Sequence, residues 1–417
     1  MAKETIIRKK RLGRILTDNA LTRYITFSAL YIAQGIPEGI TFFAIPAWLA
    51  MNGKSAMEIG AYVGVVGIPL CIGLIPDPLN NLSALMVAGF FISFFGAFQD
   101  VATDGMAVDV IPENEQARAN GLMWGAKTIG ISASLLIGTW LINTFGFPTA
   151  ISSLSIAVAT IMLFPIYFKE RPGEKTMPWT AGAVSPDSKQ TQLRSWKHIF
   201  KCLYKVLRLK SSLVFGLGVF AVGLMFGLID TLLPIFSIQE LGWTNSYFSN
   251  VFSITTVIGG FLGMFIGGYL VDYFGKIKML SLYLFFLTLL IAVFASLSNL
   301  WGNNLIVYAF ILSYYTLYTF LCIAVFASAM HLCWKTVAAT QFTLYMALSN
   351  MGRAAGAAML GVLKTNFTWE IVFLIIAAMP VIMIILIQLI NFKKHRVTVD
   401  SFVILKQTVV APPALKD

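Results

Sequence analysis

The chain has 417 residues, 58% of them apolar and 12% charged, with a formal net charge of +11 and a mean hydropathy of +0.78. Soluble domains carry about 25% charged residues, so this composition excludes a water-soluble globular protein. Its basic balance does not point to nucleic acid, because Lys and Arg crowd into three places that flank apolar stretches: Lys3 to Arg23, Lys169 to Lys210, and the tail from Lys393.

Residues 1–20 form a basic N-terminal segment. No cleavable signal peptide is expected, since the first apolar run is too long and lacks a small-residue cleavage site. Apolar runs of the length a bilayer core demands, about 20 residues, predict spans over 21–50, 57–75, 82–110, 117–144 and 147–168. Strand-like alternation is absent, which argues against a lipid-facing barrel. Residues 169–210 read as a cytoplasmic linker. Pro172, Pro178 and Pro186 interrupt its first part, and Trp196, Ile199, Phe200, Leu203, Val206 and Leu207 then recur at helical spacing with basic residues opposite. That pattern fits either an amphipathic helix on the cytoplasmic surface or a solvated linker helix. Six further spans follow at 211–239, 247–271, 279–297, 303–330, 337–363 and 369–392, and a cytoplasmic tail at 393–417. The fold class is all-α integral membrane: eleven spans in two bundles, 21–168 and 211–392.

The halves read as repeats. Gly35-Ile36-Pro37-Glu38-Gly39 followed by Pro46 matches Gly227-Leu228-Ile229-Asp230 followed by Pro234, and Asn120 to Gly130 matches Gln341 to Gly352. Internal symmetry of this kind marks transporters. The step from Pro46 to Pro234 is shorter than the step from Gly130 to Gly352. The first half therefore lacks about 34 residues between Gly53 and Asn120, the length of one span plus a loop. Charge agrees. Ten Lys and Arg in 169–210 and seven from Lys3 to Arg23 belong on one side, which five intervening spans forbid and six permit. Either a span is missing, or 57–82 passes the membrane unconventionally.

Charged groups inside spans are costly and need a reason. Asp100 and Asp104, with Gln99 beside them, share one helical face. Two carboxylates one turn apart in low dielectric resist ionising together, so one can carry a proton; a structural network with Lys127 is the other reading. Glu38 sits mid-span, where Pro37 removes a backbone donor, a setting for a substrate or proton site. Asp230 holds a comparable place in the second bundle. Lys127 and Arg353, in corresponding spans, can hold a substrate carboxylate, with Arg353 offering a bidentate fork, or can pair internally with those acids. Gly268, Asp272, Gly275 and Lys276 form a tight cytoplasmic turn suited to a conformational latch. Gly60/Gly64, Gly259/Gly263/Gly267 and Gly352/Gly356 are helix-packing faces. Tyr314, Tyr315 and Tyr318 either stack on a sugar or pack the interior. Cys71, Cys202, Cys322 and Cys333 form no CxxC pair, and no zinc spacing, phosphate loop or nucleophile elbow is present. No metal, cofactor or enzyme activity is expected.

Several segments together resemble the muropeptide permease (AmpG-like) family of the major facilitator superfamily. They are Leu30-Tyr31-Ile32-Ala33-Gln34-Gly35-Ile36-Pro37, Phe98-Gln99-Asp100-Val101-Ala102-Thr103-Asp104, Gly125-Ala126-Lys127-Thr128-Ile129-Gly130, and Thr340-Gln341-Phe342 through Asn350-Met351-Gly352-Arg353. The resemblance implies the two-bundle major facilitator fold in the cell inner membrane. It also implies proton-driven import of peptidoglycan-derived, peptide-bearing anhydro-sugars. The paired aspartates of the family map to Asp100 and Asp104. Proton coupling is expected at Asp100, Asp104 and Glu38, and substrate contact at Gln34, Glu38, Gln99, Lys127, Asp230 and Arg353. The related acetyl-coenzyme A transporters share part of the first-span pattern, so another anionic solute is the alternative, and a non-transporting remnant a third. Two departures stand out. The family's Arg in the fourth span is Lys127 here, and after Gly67-Ile68-Pro69 the expected Asp/Arg-rich turn and third span give way to Ile75-Pro76-Asp77-Pro78. Expected partners are a small-molecule substrate, protons and the bilayer, not nucleic acid, with the chain acting as a monomer.

Overall fold

The computed structural model describes residues 15–59, 81–112, 115–161, 163, 167–169, 171, 173 and 196–410. Most of the expected span at 57–75, with Gly60 and Gly64, and the first part of the linker lie outside the described residues.

Asn19 caps the first helix, its side chain accepting from the backbone of Leu21 and Thr22. This helix, α1 (Ala20–Gly39), passes without a break through a π-helical turn (Ile40–Ala44) into α2 (Ile45–Met51). The turn begins just after Pro37, whose carbonyl is taken by the Thr41 hydroxyl at 2.6 Å. Then come α3 (Leu82–Val110), α4 (Gln116–Phe145) and α5 (Phe147–Ile161). The amphipathic α6 (Trp196–Leu207) leads into α7 (Lys210–Gln239). Next, α8 (Asn245–Leu262) continues through a second π turn (Gly263–Gly267) into α9 (Gly268–Phe274). The chain ends with α10 (Lys276–Ser296), α11 (Asn304–Leu332), α12 (Ala338–Asn366), α13 (Trp369–Gln388) and α14 (Phe392–Val410). Among the described residues no β-strand forms; one isolated bridge joins Ile15 and Lys169. Among the described residues six helical stretches are long and apolar enough to cross a membrane, and five of them belong to the second half. The tail helix α14 was not anticipated. Its visible signal is Asn391, whose side chain caps Lys394 N at 2.9 Å.

Two ends of the molecule can be told apart. At the basic end Arg23 pairs with Glu115 at 2.8 Å, Leu16 N donates to Lys169 O, and α6 and α14 pack Cys202, Val206 and Val399 against Trp334 and Val337. At the far end Gln239 Nε2 reaches Lys54 O at 2.8 Å, Asn143 meets Asn245, and Trp369 Nε1 donates to Glu240 at 3.0 Å. Since α3 ends at the basic end, its 29 residues, about 43 Å of helix, start at the far end. Met51 and Leu82 therefore flank 52–81 from the same end.

The repeat is visible in the element boundaries. The starts of α3, α4 and α5 precede those of α11, α12 and α13 by one constant offset. The end of α2 precedes that of α7 by a smaller one. The shortfall thus falls between Met51 and Leu82. The stretch 52–81 stands where the second half has 240–303, which carries α8, α9 and α10.

Packing repeats with the same offsets. Gly35 faces the backbone of Lys127, Gly39 that of Ile131, and Gly130 that of Ile32; in the second half Gly223 faces Ser349, Gly227 faces Arg353, and Gly352 faces Phe220. A Cβ at any of the six would collide with main chain, so α1 against α4 and α7 against α12 are close small-residue crossings. The bundles then meet along α4 and α8, with Ser132 bonded to Thr256 at 2.6 Å and Thr139 to Ser249 at 2.7 Å. Of the faces read as packing in sequence, Gly259, Gly263 and Gly267 lie against Thr316, Thr319 and Ile323 of α11, and Gly352 and Gly356 against Phe220 and Leu224 of α7.

Candidate functional site

Four buried charges meet where α1, α4, α7 and α12 converge, in the middle part of the continuous α1–α2 stretch and of the other three helices. Glu38 takes an ion pair from Lys127 Nζ at 2.9 Å and a second from the Arg353 guanidinium. Arg353 also grips Asp230, with Nη2 at 2.7 Å and Nε at 3.0 Å from Oδ2. Tyr315 donates to the other Asp230 oxygen at 3.0 Å. The set carries two positive and two negative groups and neutralises itself, which is how charge is tolerated at this depth. Because Glu38 lies in one bundle and Arg353 in the other, the network also ties the bundles together.

The sequence placed Asp230 at a position comparable to Glu38, and Lys127 and Arg353 in corresponding spans. The spans do correspond, but the packing offsets correct the position of Asp230. The symmetric partner of Glu38 is Phe226, that of Asp230 is Phe42, that of Lys127 is Ser349, and that of Arg353 is Ile131. Both charges of the second bundle sit one helical turn, about 6 Å, further from the basic end. The stagger lets Arg353 span both acids, and its guanidinium lies 4.2 Å from the ring centroid of Phe42.

Toward the far end the network is capped by aromatic packing: Phe43 of the first bundle lies on Phe252 of the second at 4.3 Å, and Phe252 lies on Tyr315 of its own bundle at 4.6 Å between centroids. Toward the basic end lies a small cavity of about 70 Å³. Asp100, Asp104, Lys127, Arg353, Gln34 and Tyr318 line it with apolar residues of α7, α11 and α12. Asp104 is held by the Tyr31 hydroxyl at 2.6 Å, and Asp100 faces the same space one turn away. Lys127 gives its ion pair to Glu38, not to these aspartates. Gln34 Nε2 is buried with no hydrogen-bond partner among the described residues, so it is available to a ligand.

Two expected features stand elsewhere. Gln99 does not line the cavity. The turn formed by Gly268, Asp272, Gly275 and Lys276 lies at the basic end, where Gly275 takes φ +92° between α9 and α10 and borders a surface groove with His331 and Phe392. Sequence reasoning missed Phe43, Phe252 and the acceptor role of Asp230 toward Tyr315. Their signal, aromatics inside spans, is shared with every packed membrane helix.

Two helical bundles in a membrane, with charged groups at mid-depth and a cavity between them, make up the build of a secondary transporter. The chain belongs to the Major Facilitator Superfamily, whose family model matches residues 23–357. Among solved structures it is similar to the human organic anion transporter MFSD10 (TETRAN), with TM-score 0.54 and 12% identity over 88% of this chain and 84% of that one. It is also similar to the E. coli fucose:proton symporter FucP. A variant of that protein gives TM-score 0.56 and 15% identity over 89% of this chain and 99% of that one, and its outward conformation gives 0.55 and 15% over 88% and 98%. At these identities the likeness is one of fold.

Proposed function

We propose that the chain is a proton-coupled symporter of peptidoglycan-derived muropeptides or amino-sugar fragments, importing them across the cell inner membrane with both termini in the cytoplasm. The basic end is then cytoplasmic, as its crowd of Lys and Arg favours. The observation that carries the reading is the cavity, which brings a pair of carboxylates together with an unpartnered amide and two cations. Asp104, bonded to Tyr31, is the first proton carrier, with Asp100 beside it and Glu38 next in line. Gln34, Lys127 and Arg353 contact substrate, and Arg353 links that contact to Glu38 and Asp230. The turn at Gly268, Asp272, Gly275 and Lys276 acts as the conformational latch. The substrate class rests on the resemblance in sequence, and FucP supports sugar and proton coupling on this fold by its name alone.

The two cations on the cavity wall favour a second reading, transport of another anionic solute such as acetyl-coenzyme A. The short stretch 52–81, standing in place of 240–303, favours a third, a non-transporting remnant. Uptake of labelled muropeptide, N-acetylated sugar and acetyl-coenzyme A, with and without an uncoupler, separates all three. Within the first reading, Asp104→Asn keeps an acceptor for Tyr31 but has no group that takes up and releases a proton. It is expected to abolish uphill uptake while preserving substrate exchange. An Asp104→Asn protein that still concentrates substrate with an unchanged response to a pH gradient moves the proton site to Glu38.

A further inference from the structure

Helix α6 has three faces. Cys202, Leu203 and Val206 are buried, and Cys202 and Val206 pack against Trp334, Val337 and Val399. That contact uses up the apolar side that an amphipathic pattern would assign to a membrane. A second apolar stripe remains: Trp196, Phe200 and Tyr204, one turn apart, are 77%, 63% and 63% exposed. Beside it, away from the buried side, runs a basic row of Lys197, Lys201 and Arg208, while Lys205 lies over the Phe402 ring of α14, 3.8 Å from its centroid. At 100° per residue the aromatic stripe covers about 80° of the helix and the basic row about 40° next to it. The position is fixed, since only Arg208 and Leu209 separate α6 from the membrane helix α7.

Exposed aromatics cost free energy in water and are favoured at the headgroup level of a bilayer. A row of cations next to them complements anionic headgroups. We propose that this face of α6 is a mooring site for anionic phospholipid in the leaflet at the basic end, with Trp196, Phe200 and Tyr204 seated among the acyl-chain ends of the headgroup region and the Lys/Arg row on the phosphates. Its buried face rests on Trp334, Val337 and Val399 of the second half. The mooring therefore holds the second bundle to the leaflet and leaves the first free to move against it. None of this depends on which substrate is carried.

The test uses the full chain in vesicles of phosphatidylcholine and phosphatidylglycerol, in which one lipid or the other carries brominated acyl chains at the same mole fraction. The emission of Trp196 is read as the difference between the unaltered chain and Trp196→Phe. Brominated phosphatidylglycerol is expected to quench that component at least about twofold more than brominated phosphatidylcholine. The excess should vanish in the Lys197→Gln/Lys201→Gln/Arg208→Gln protein, whose elution on size exclusion checks that it is folded. Equal quenching by the two lipids overturns the proposal, as does a Trp196 component quenched by aqueous iodide and untouched by either brominated lipid.

Discussion

The two halves share a plan and differ in completeness. Close glycine crossings hold α1 to α4 and α7 to α12 at positions related by the same offsets. Yet the second half continues through α8, α9 and α10 where the first has only the short stretch 52–81. The charges follow the difference. In the second bundle a single arginine grips Asp230 and reaches across to Glu38; in the first, Lys127 serves Glu38 alone. The comparison teaches that the packing frame is the repeated part, and that the chemistry laid on it is not.

The largest test removes the cations one at a time. Arg353→Ala leaves two buried carboxylates short of a partner and is expected to destabilise by about 3–5 kcal/mol, the usual cost of breaking a buried pair. Lys127→Ala leaves Glu38 with Arg353 and should cost clearly less. Arg353→Lys should recover only part, because an ammonium lacks the planar fork. Thermal unfolding in detergent ranks the three, and a larger loss at Lys127 would break the asymmetry.

Next come the crossings. Gly39→Ala and Gly227→Ala each push a methyl group into main chain, of Ile131 and Arg353 respectively, and each is expected to cost about 1–3 kcal/mol. Equal losses support a common frame. A loss confined to Gly227 would show the first bundle already loose beside its shorter 52–81 stretch.

A third test sharpens topology. In a cysteine-free background, Ser55→Cys and Asn81→Cys should react with an impermeant maleimide from one side of the membrane, and Asn19→Cys and Lys210→Cys from the other. Labelling of positions 55 and 81 from opposite sides would put an odd number of crossings between them.

The smallest effect is one of pH, at the tail that only the second half carries. His395 is buried and its Nε2 donates to Leu332 O at 2.9 Å; burial lowers its pKa from the ordinary histidine value. The unfolded state then binds the proton more readily, so docking of α14 is unaffected above that ordinary value and weakens as pH falls below it. Hydrogen exchange in α14 should quicken across that window, and His395→Gln should remove the change. A variant as pH-sensitive as the parent would assign the effect elsewhere.

Much of the frame was legible in the sequence because its causes are local. Span lengths follow from apolar runs, and the expected 82–110 coincides with α3. The offsets came from Pro46, Pro234, Gly130 and Gly352, and the crossings obey them. The site was legible as a set of charges but not as a circuit. Which acid Lys127 chooses depends on a one-turn stagger between helices far apart in sequence, and no motif records it. The tail helix was missed because its basic start, Lys393 to Arg396, reads as a solvated tail until the groove that receives it is known.

The seam between α4 and α8 has a consequence for how the far end parts. Ser132 with Thr256, Ser253 with the Ser132 carbonyl, Thr139 with Ser249, and Asn143 with Asn245 are all neutral pairs. Each contributes about 0.5–1.5 kcal/mol net, because water can take over when the partners separate. A seam of this kind has no bolt. It can peel one pair at a time, each step reversible and nearly equal in size, so the far end yields gradually. Abrupt, all-or-none release is left to the charges at mid-depth.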